Sequence, residues 1–240
     1  MREVLFNIFG EPVYSYPLLM GLGWGVGFNI AKSDWLKDSK SLSLFYKLFI
    51  GCFISAWLGA KLFFLLFSVP GASVRYMAES NFWLGGGFVF YGGLVFSIVF
   101  FMASTLFYKN LILKDIALFI PALFISHAIG RVGCFLAGCC FGSQCPLEFM
   151  DRHPVQLYES FCLIVLFFIT KYFLYNKENK IGAILVYLFG YSICRFTLEF
   201  YRADLIRGLY WGLSTSQWVS LLLFFCGLTI LLRTLWLRRA

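Results

Sequence analysis

The chain has 240 residues, of which 60% are hydrophobic, 21% aromatic and only 13% charged, with a mean hydropathy of +0.80. Those values exclude an ordinary soluble domain and point to a polytopic membrane protein. The net charge of +8 is spread over connections and forms no dense basic patch, which argues against a nucleic-acid surface.

A helix that crosses a bilayer needs about 20 mainly apolar residues. Seven such stretches follow one another, at about 13–31, 44–69, 87–107, 116–141, 155–173, 181–201 and 216–234. They are continuously apolar rather than alternating, which selects helices over a barrel. Pro121 and the Gly130–Gly142 segment could interrupt the fourth. Arg2 is followed by Glu3 and Glu11, with no small-residue cleavage site after the first apolar run, so the first span is expected to stay as a helix. Without a long linker, low-complexity tract or clear repeat, residues 1–240 are expected to form one integral domain.

The connections after spans one, three, five and seven hold eleven basic residues, among them Lys37, Lys109, Lys177 and Arg238. The opposite side holds five: Arg2, Arg75, Arg152, Arg202 and Arg207. The expected fold is therefore an all-α membrane protein of about seven spans, with its N-terminus outside and its C-terminus cytoplasmic. Lys47 lies near a span start and can snorkel. Lys61, Arg131 and Arg195 lie deeper, where an ionisable group usually lines a polar cavity or pairs inside the bundle.

Five polar clusters follow in chain order. Tyr14, Tyr16 and Pro17 precede "GLGWGVG", where Gly21/Gly25 and Gly23/Gly27 have the spacing of close helix packing. Tyr16 can offer its hydroxyl to a ligand or belong to an aromatic belt. Residues 84–94, "LGGGFVFYGGL", surround Tyr91 with glycines, and a loop or broken helix is expected there, or else a flexible turn into span three. In "SHAIGRVGCFLAGCCFG", His127 and Arg131 share a helix face with Cys134. A guanidinium in a glycine-rich groove suits a phosphate, whereas an ion pair with Glu159 or Glu199 would make Arg131 structural.

In "RHPVQLYES", Pro154 suits a first helical turn, Gln156 and Glu159 lie one turn apart, and His153 stands where protons can exchange with water. In "CRFTLEFYRAD", Arg195, Glu199 and Arg202 fall on one helix face, two cations around one carboxylate, with one positive charge left for an anion. Cys134, Cys139, Cys140 and Cys145 read C-x4-C-C-x4-C, a spacing unlike common zinc sites, and no metal is assigned to them. Small packing residues, a disulfide from Cys139 or Cys140 to Cys145, a redox role and metal binding all remain open for them.

These motifs resemble the bacterial prolipoprotein diacylglyceryl transferase family from about Tyr16 to Gln217. The family's G-R-x-G-N-F-x-N-G-E corresponds to "GRVGCFLAGC", its R-H-P-S-Q-L-Y-E to "RHPVQLYE", its R-x3-E-x2-R to "RFTLEFYR" and its H-G-G-L to "YGGL". The resemblance implies transfer of diacylglycerol from phosphatidylglycerol to the lipobox cysteine of a preprolipoprotein signal peptide. A thioether forms and glycerol phosphate leaves, at a multi-pass enzyme of the bacterial inner membrane. It implies that Arg131 and Arg195 hold the lipid phosphate, that Glu199 and Arg202 complete the network, that Tyr16 holds the headgroup and that Gly142 stays small beside the site.

Displacement at a glycerol carbon requires a thiolate and a stabilised leaving phosphate, and calls for no metal or organic cofactor. Tyr91 stands where the family has histidine, Cys134 where it has asparagine and Cys139 where it has an acidic residue. His127, Glu199 and His153 are the other candidate bases. The alternatives are a relative acting on another lipid donor or acceptor, and a non-catalytic lipid-binding or redox protein that uses the cysteines.

Overall fold

A computed structural model describes residues 4–8, 11–67, 89–145, 151–203 and 209–238. A short antiparallel hairpin, β1 (Val4–Ile8) with β2 (Glu11–Tyr14), leads into α1 (Ser15–Lys37). Then follow α2 (Leu42–Phe67), α3 (Phe90–Phe107), a 3₁₀ turn (Leu113–Phe119), α4 (Ile120–Leu136) and α5 (Val155–Tyr175). The next rod is composite: α6 (Lys180–Leu185), a π segment (Val186–Tyr191) and α7 (Ser192–Glu199). A two-residue hairpin, β3 (Leu209–Tyr210) with β4 (Leu213–Ser214), precedes α8 (Thr215–Leu237). Ser214 caps α8 in a reciprocal capping box with Gln217.

Among the described residues six helical stretches are long and apolar enough to cross a membrane: Leu42–Leu66, Phe90–Phe107, Leu113–Leu136, Val155–Tyr175, Lys180–Glu199 and Thr215–Leu237. The protein is thus an all-α multi-pass membrane protein. The expected first span is helical over Ser15–Lys37 but falls short of the same apolarity, because glycines, Ser33, Asp34 and flanking lysines dilute it. The fourth span stops at Leu136, so residues 137–141 of the expected run lie beyond the helix, which ends inside the Gly130–Gly142 segment named as a possible interruption. The sixth span ends at Glu199, and Arg202 is reached through a turn in which its N–H bonds the Glu199 carbonyl.

The chain divides into two compact units: Met1–Asp34 with Ile116–Ala240, and Trp35–Asp115. Within the second, α2 packs on α3 through Gly59 and Gly92. A β-carbon on either glycine would strike the other's carbonyl oxygen. Ser97 Oγ donates to the Cys52 carbonyl at 3.1 Å, and Val89 N–H to that of Ala60 at 3.2 Å. Tyr91, Gly92 and Gly93 therefore sit in the first turn of α3, where the glycines serve helix contact rather than a broken helix. Gly85, Gly86 and Gly87 lie outside the described residues. Lys61 is buried in α2, and Lys40 pairs with the buried Asp115 at 2.7 Å.

In the first unit α4 packs along α5, where Ser160 Oγ donates to the Ala128 carbonyl at 3.0 Å. Gly23 and Gly27 bring α1 onto α4 at Ser126, whose hydroxyl bonds the Gly23 carbonyl at 2.8 Å. A β-carbon on Gly21 or Gly25 would meet nothing within 4 Å among the described residues, so of the two expected glycine pairs it is Gly23/Gly27 that packs there. α8 packs on α7 and the π segment. That segment stacks Tyr187 on Tyr191 at 5.5 Å, and such interruptions of an α-helix are frequent beside functional sites.

Candidate active site

The deep polar residues of the first unit converge. From α4, Arg131 grips the fully buried Glu159 of α5: Nη2 donates to Oε1 at 3.0 Å, and Nε lies 3.0 Å from Oε2. His127, one turn earlier, places Nε2 3.6 Å from Glu159 Oε1, and its ring packs against Tyr191. From α7, Arg195 reaches both carboxylates, with Nη1 3.7 Å from Glu159 Oε2 and Nη2 2.6 Å from Glu199 Oε2. Arg202 Nε lies 4.0 Å from Glu199 Oε2. Arg131 is therefore paired with Glu159, the ion pair that the structural account of Arg131 calls for, and Glu199 stands between Arg195 and Arg202, as the spacing of those three predicts.

Charge and hydrogen bonding decide what this cluster can do. Among the described residues three guanidinium groups face two carboxylates. Arg195 is 2% exposed, yet its Nη1 donates no hydrogen bond among the described residues. That nitrogen is ion-paired with Glu159 Oε2 at 3.7 Å, beyond hydrogen-bond distance, so two buried charged atoms face each other without a hydrogen bond between them.

The loop beyond α4 closes the site. Gly138 (φ 72°) and Cys140 (φ 62°) turn the chain back on the helix end, with Cys139 N–H bonded to the Cys134 carbonyl at 3.1 Å. The buried Gln156 donates its Nε2 to the Cys139 carbonyl at 2.5 Å, so it anchors this loop from α5. Beyond it, Gly142 N–H bonds the His153 carbonyl at 3.0 Å, Ser143 N–H that of Tyr201 at 2.8 Å, and Ala203 N–H that of Phe141 at 3.3 Å. The segment is thus threaded between the entrance of α5 and the exit of α7. A β-carbon on Gly142 would collide with the His153 backbone, which is the physical reason for glycine there. The His153 ring packs on Tyr201 at 5.3 Å.

Tyr16, at the start of α1, packs on Gly133 and lies within electrostatic reach of Arg131 and the cysteines. Cys134, Cys139 and Cys140 bring their sulfur atoms within 4.8 Å of one another. Cys145 stands apart from that group, in the stretch paired with Asp151, and all eight cysteines are free thiols. A hydrogen bond from Cys134, aided by Arg202 and Arg131, holds the Cys140 thiol down at about 5 against the effect of burial.

The first unit thus gathers Tyr16, His127, Arg131, Gly142, His153, Gln156, Glu159, Arg195, Glu199 and Arg202. Tyr91 belongs to the other unit, in the first turn of α3 with its ring against Phe90. Two neighbours escaped the sequence reading. Ser216 accepts a hydrogen bond from Arg195 Nη2 at 3.1 Å, and Tyr191 packs on His127. The Arg195–Ser216 contact joins two helices and left no local signal. Tyr191 stands four residues before Arg195, a spacing that could have marked it.

A model of the prolipoprotein diacylglyceryl transferase family matches residues 3–233. The phosphatidylglycerol–prolipoprotein diacylglyceryl transferase of Clostridium tetani (strain Massachusetts / E88) is 30% identical, over 96% of both chains. The second such transferase of Clostridium perfringens (strain 13 / Type A) is 30% identical over 96% of this chain and 94% of its own. That of Campylobacter jejuni (strain RM1221) is 31% identical over 95% and 91%. The chain belongs to the prolipoprotein diacylglyceryl transferase family.

Proposed function

We propose that this protein transfers the diacylglyceryl group of phosphatidylglycerol to the lipobox cysteine of a preprolipoprotein, as a single transferase domain of the bacterial inner membrane. The N-terminus faces outward and the C-terminus the cytoplasm. The observation that supports the assignment of roles is the cluster of Arg131, Arg195 and Arg202, in which three guanidinium groups meet two carboxylates among the described residues.

An anionic lipid needs fixed positive charge at membrane depth, and guanidinium matches a phosphate with a rigid fork. In the reaction the acceptor thiol loses its proton, its sulfur attacks a glycerol carbon, and the carbon–oxygen bond to phosphate breaks. Arg131 and Arg195 stabilise the charge that gathers on the departing phosphate. Glu159 and Glu199 hold the two guanidiniums in place, Arg202 completes the network, and Tyr16 binds the headgroup. Gly142 keeps the loop close to His153, while Gln156 fixes its turn.

Of the four candidate acceptors for the thiol proton, Glu199 is held by Arg195 and the His153 ring packs on Tyr201, which leaves His127 beside Glu159 and Tyr91 at the family's histidine position. The variants His127→Gln and Tyr91→Phe assign it: the acceptor's variant loses kcat without a matching change in KM.

The test combines purified protein, phosphatidylglycerol vesicles and a lipobox peptide, with the peptide followed by mass spectrometry. A diacylglyceryl mass gain is expected, and its loss in Arg131→Ala. No gain, with phosphatidylglycerol still bound, would redirect the reading to another acceptor.

A further inference from the structure

The cysteines at the end of α4 are not needed by the transfer just described. We propose that Cys134, Cys139 and Cys140 form a binding site for one thiophilic d¹⁰ cation, zinc(II) or copper(I), held as a trithiolate.

Geometry is the first argument. Thiolate–zinc bonds are about 2.3 Å long, so sulfurs that share one ion stand about 4 Å apart. The three sulfur atoms here all lie within 4.8 Å of one another before any ion is added. They come from positions i, i+5 and i+6, which no straight helix would bring together. The turn through Gly138 and Cys140 does it, with Cys140 in a left-handed conformation that a β-carbon disfavours. The turn is pinned from a second helix by Gln156 and by the bond from Cys139 N–H to the Cys134 carbonyl.

Charge is the second argument. A trithiolate holding zinc(II) carries one net negative charge, and one holding copper(I) carries two. Arg131 and Arg202 lie within electrostatic reach of Cys140 and offset that charge. Binding displaces up to three thiol protons and changes no oxidation state.

Access and coordination supply the third. Cys139 is exposed, giving an ion a way in. Three protein ligands leave a fourth position open for water. Gln156 is buried beside the loop, and its Oε1 accepts no hydrogen bond among the described residues, so it is available to such a water.

The experiment uses the full chain, purified in detergent, reduced and stripped of metal. It is titrated with zinc ion alone, and anaerobically with copper(I) alone, against a coloured chelator. Cadmium ion then serves as an ultraviolet probe of thiolate charge transfer. Expected is one ion per chain at submicromolar affinity, with whichever of zinc and copper(I) binds tighter naming the cargo. Cys139→Ser, at an exposed position, should weaken binding on the order of a hundredfold and diminish the cadmium band. Cys145→Ser and Cys226→Ser should leave both unchanged. Failure of the wild-type chain to hold either ion more tightly than roughly 10 μM overturns the site. Undiminished binding in Cys139→Ser overturns it as well.

Discussion

Two ion clusters in the same unit behave as opposites. At the end of α1, the buried Asp34 takes Lys171 at 2.5 Å and the Tyr175 hydroxyl, and Lys171 also lies 4.8 Å above the Tyr175 ring. One cation meets one carboxylate, and the lysine remains 25% exposed. Around Glu159 and Glu199, three arginines gather on two carboxylates, with Arg195 2% exposed and its Nη1 ion-paired to Glu159 at 3.7 Å without a hydrogen bond. The first cluster is closed in charge and stabilises a helix end. The second, among the described residues, is open in charge and buried. A membrane protein tolerates such an imbalance where an anion completes it.

The sharpest way to break this contrast is to remove one cation from each cluster. Arg195→Ala and Arg131→Ala should each lower transfer by about a hundredfold to a thousandfold, as loss of a transition-state charge donor does. Lys171→Met should leave kcat/KM within about threefold of wild type. Equal losses in both clusters, measured by peptide mass gain, would erase the distinction.

Removing the carboxylates sharpens it on the stability side. Glu159→Ala strips the partner from Arg131 and Arg195 and should cost about 3–5 kcal/mol, the penalty of an uncompensated buried charge. Asp34→Ala, whose lysine can turn to water, should cost about 1 kcal/mol. Thermal unfolding of the two variants in the same detergent orders them.

A smaller effect is expected from the loop that borders the open cluster. Gly142→Ala forces the segment away from the His153 carbonyl and should lower transfer about tenfold, while Gly21→Ala, which meets nothing among the described residues, should leave transfer and melting temperature within error. The same assay and a melting curve check both.

Much of this was legible in the residues. Spans two, three, five, six and seven lie within a few residues of their apolar runs, because in lipid continuous apolarity and helix are nearly the same statement. Arg195 and Glu199 read correctly as neighbours because helical spacing is local. Arg131 with Glu159 was visible only as one option among pairings, since it joins two helices and spacing carries no such information. The glycines show the limit most clearly. Gly92 and Gly93 looked like a loop, yet α2 presents Gly59 opposite the first and Ala56 opposite the second, and a close helix contact accounts for their missing β-carbons. The thiol cluster was hidden for a similar reason: C-x4-C-C brings three sulfurs together only through the left-handed turn at Gly138 and Cys140.

The most direct measurement is equilibrium binding of a fluorescent short-chain phosphatidylglycerol to the purified protein in uncharged detergent, comparing wild type, Arg195→Gln and Lys171→Met. Arg195→Gln, with Glu199 and Ser216 still in place, should bind at least about tenfold more weakly, while Lys171→Met matches wild type. Equal affinities in all three would contradict the claim that the open arginine cluster holds the lipid phosphate.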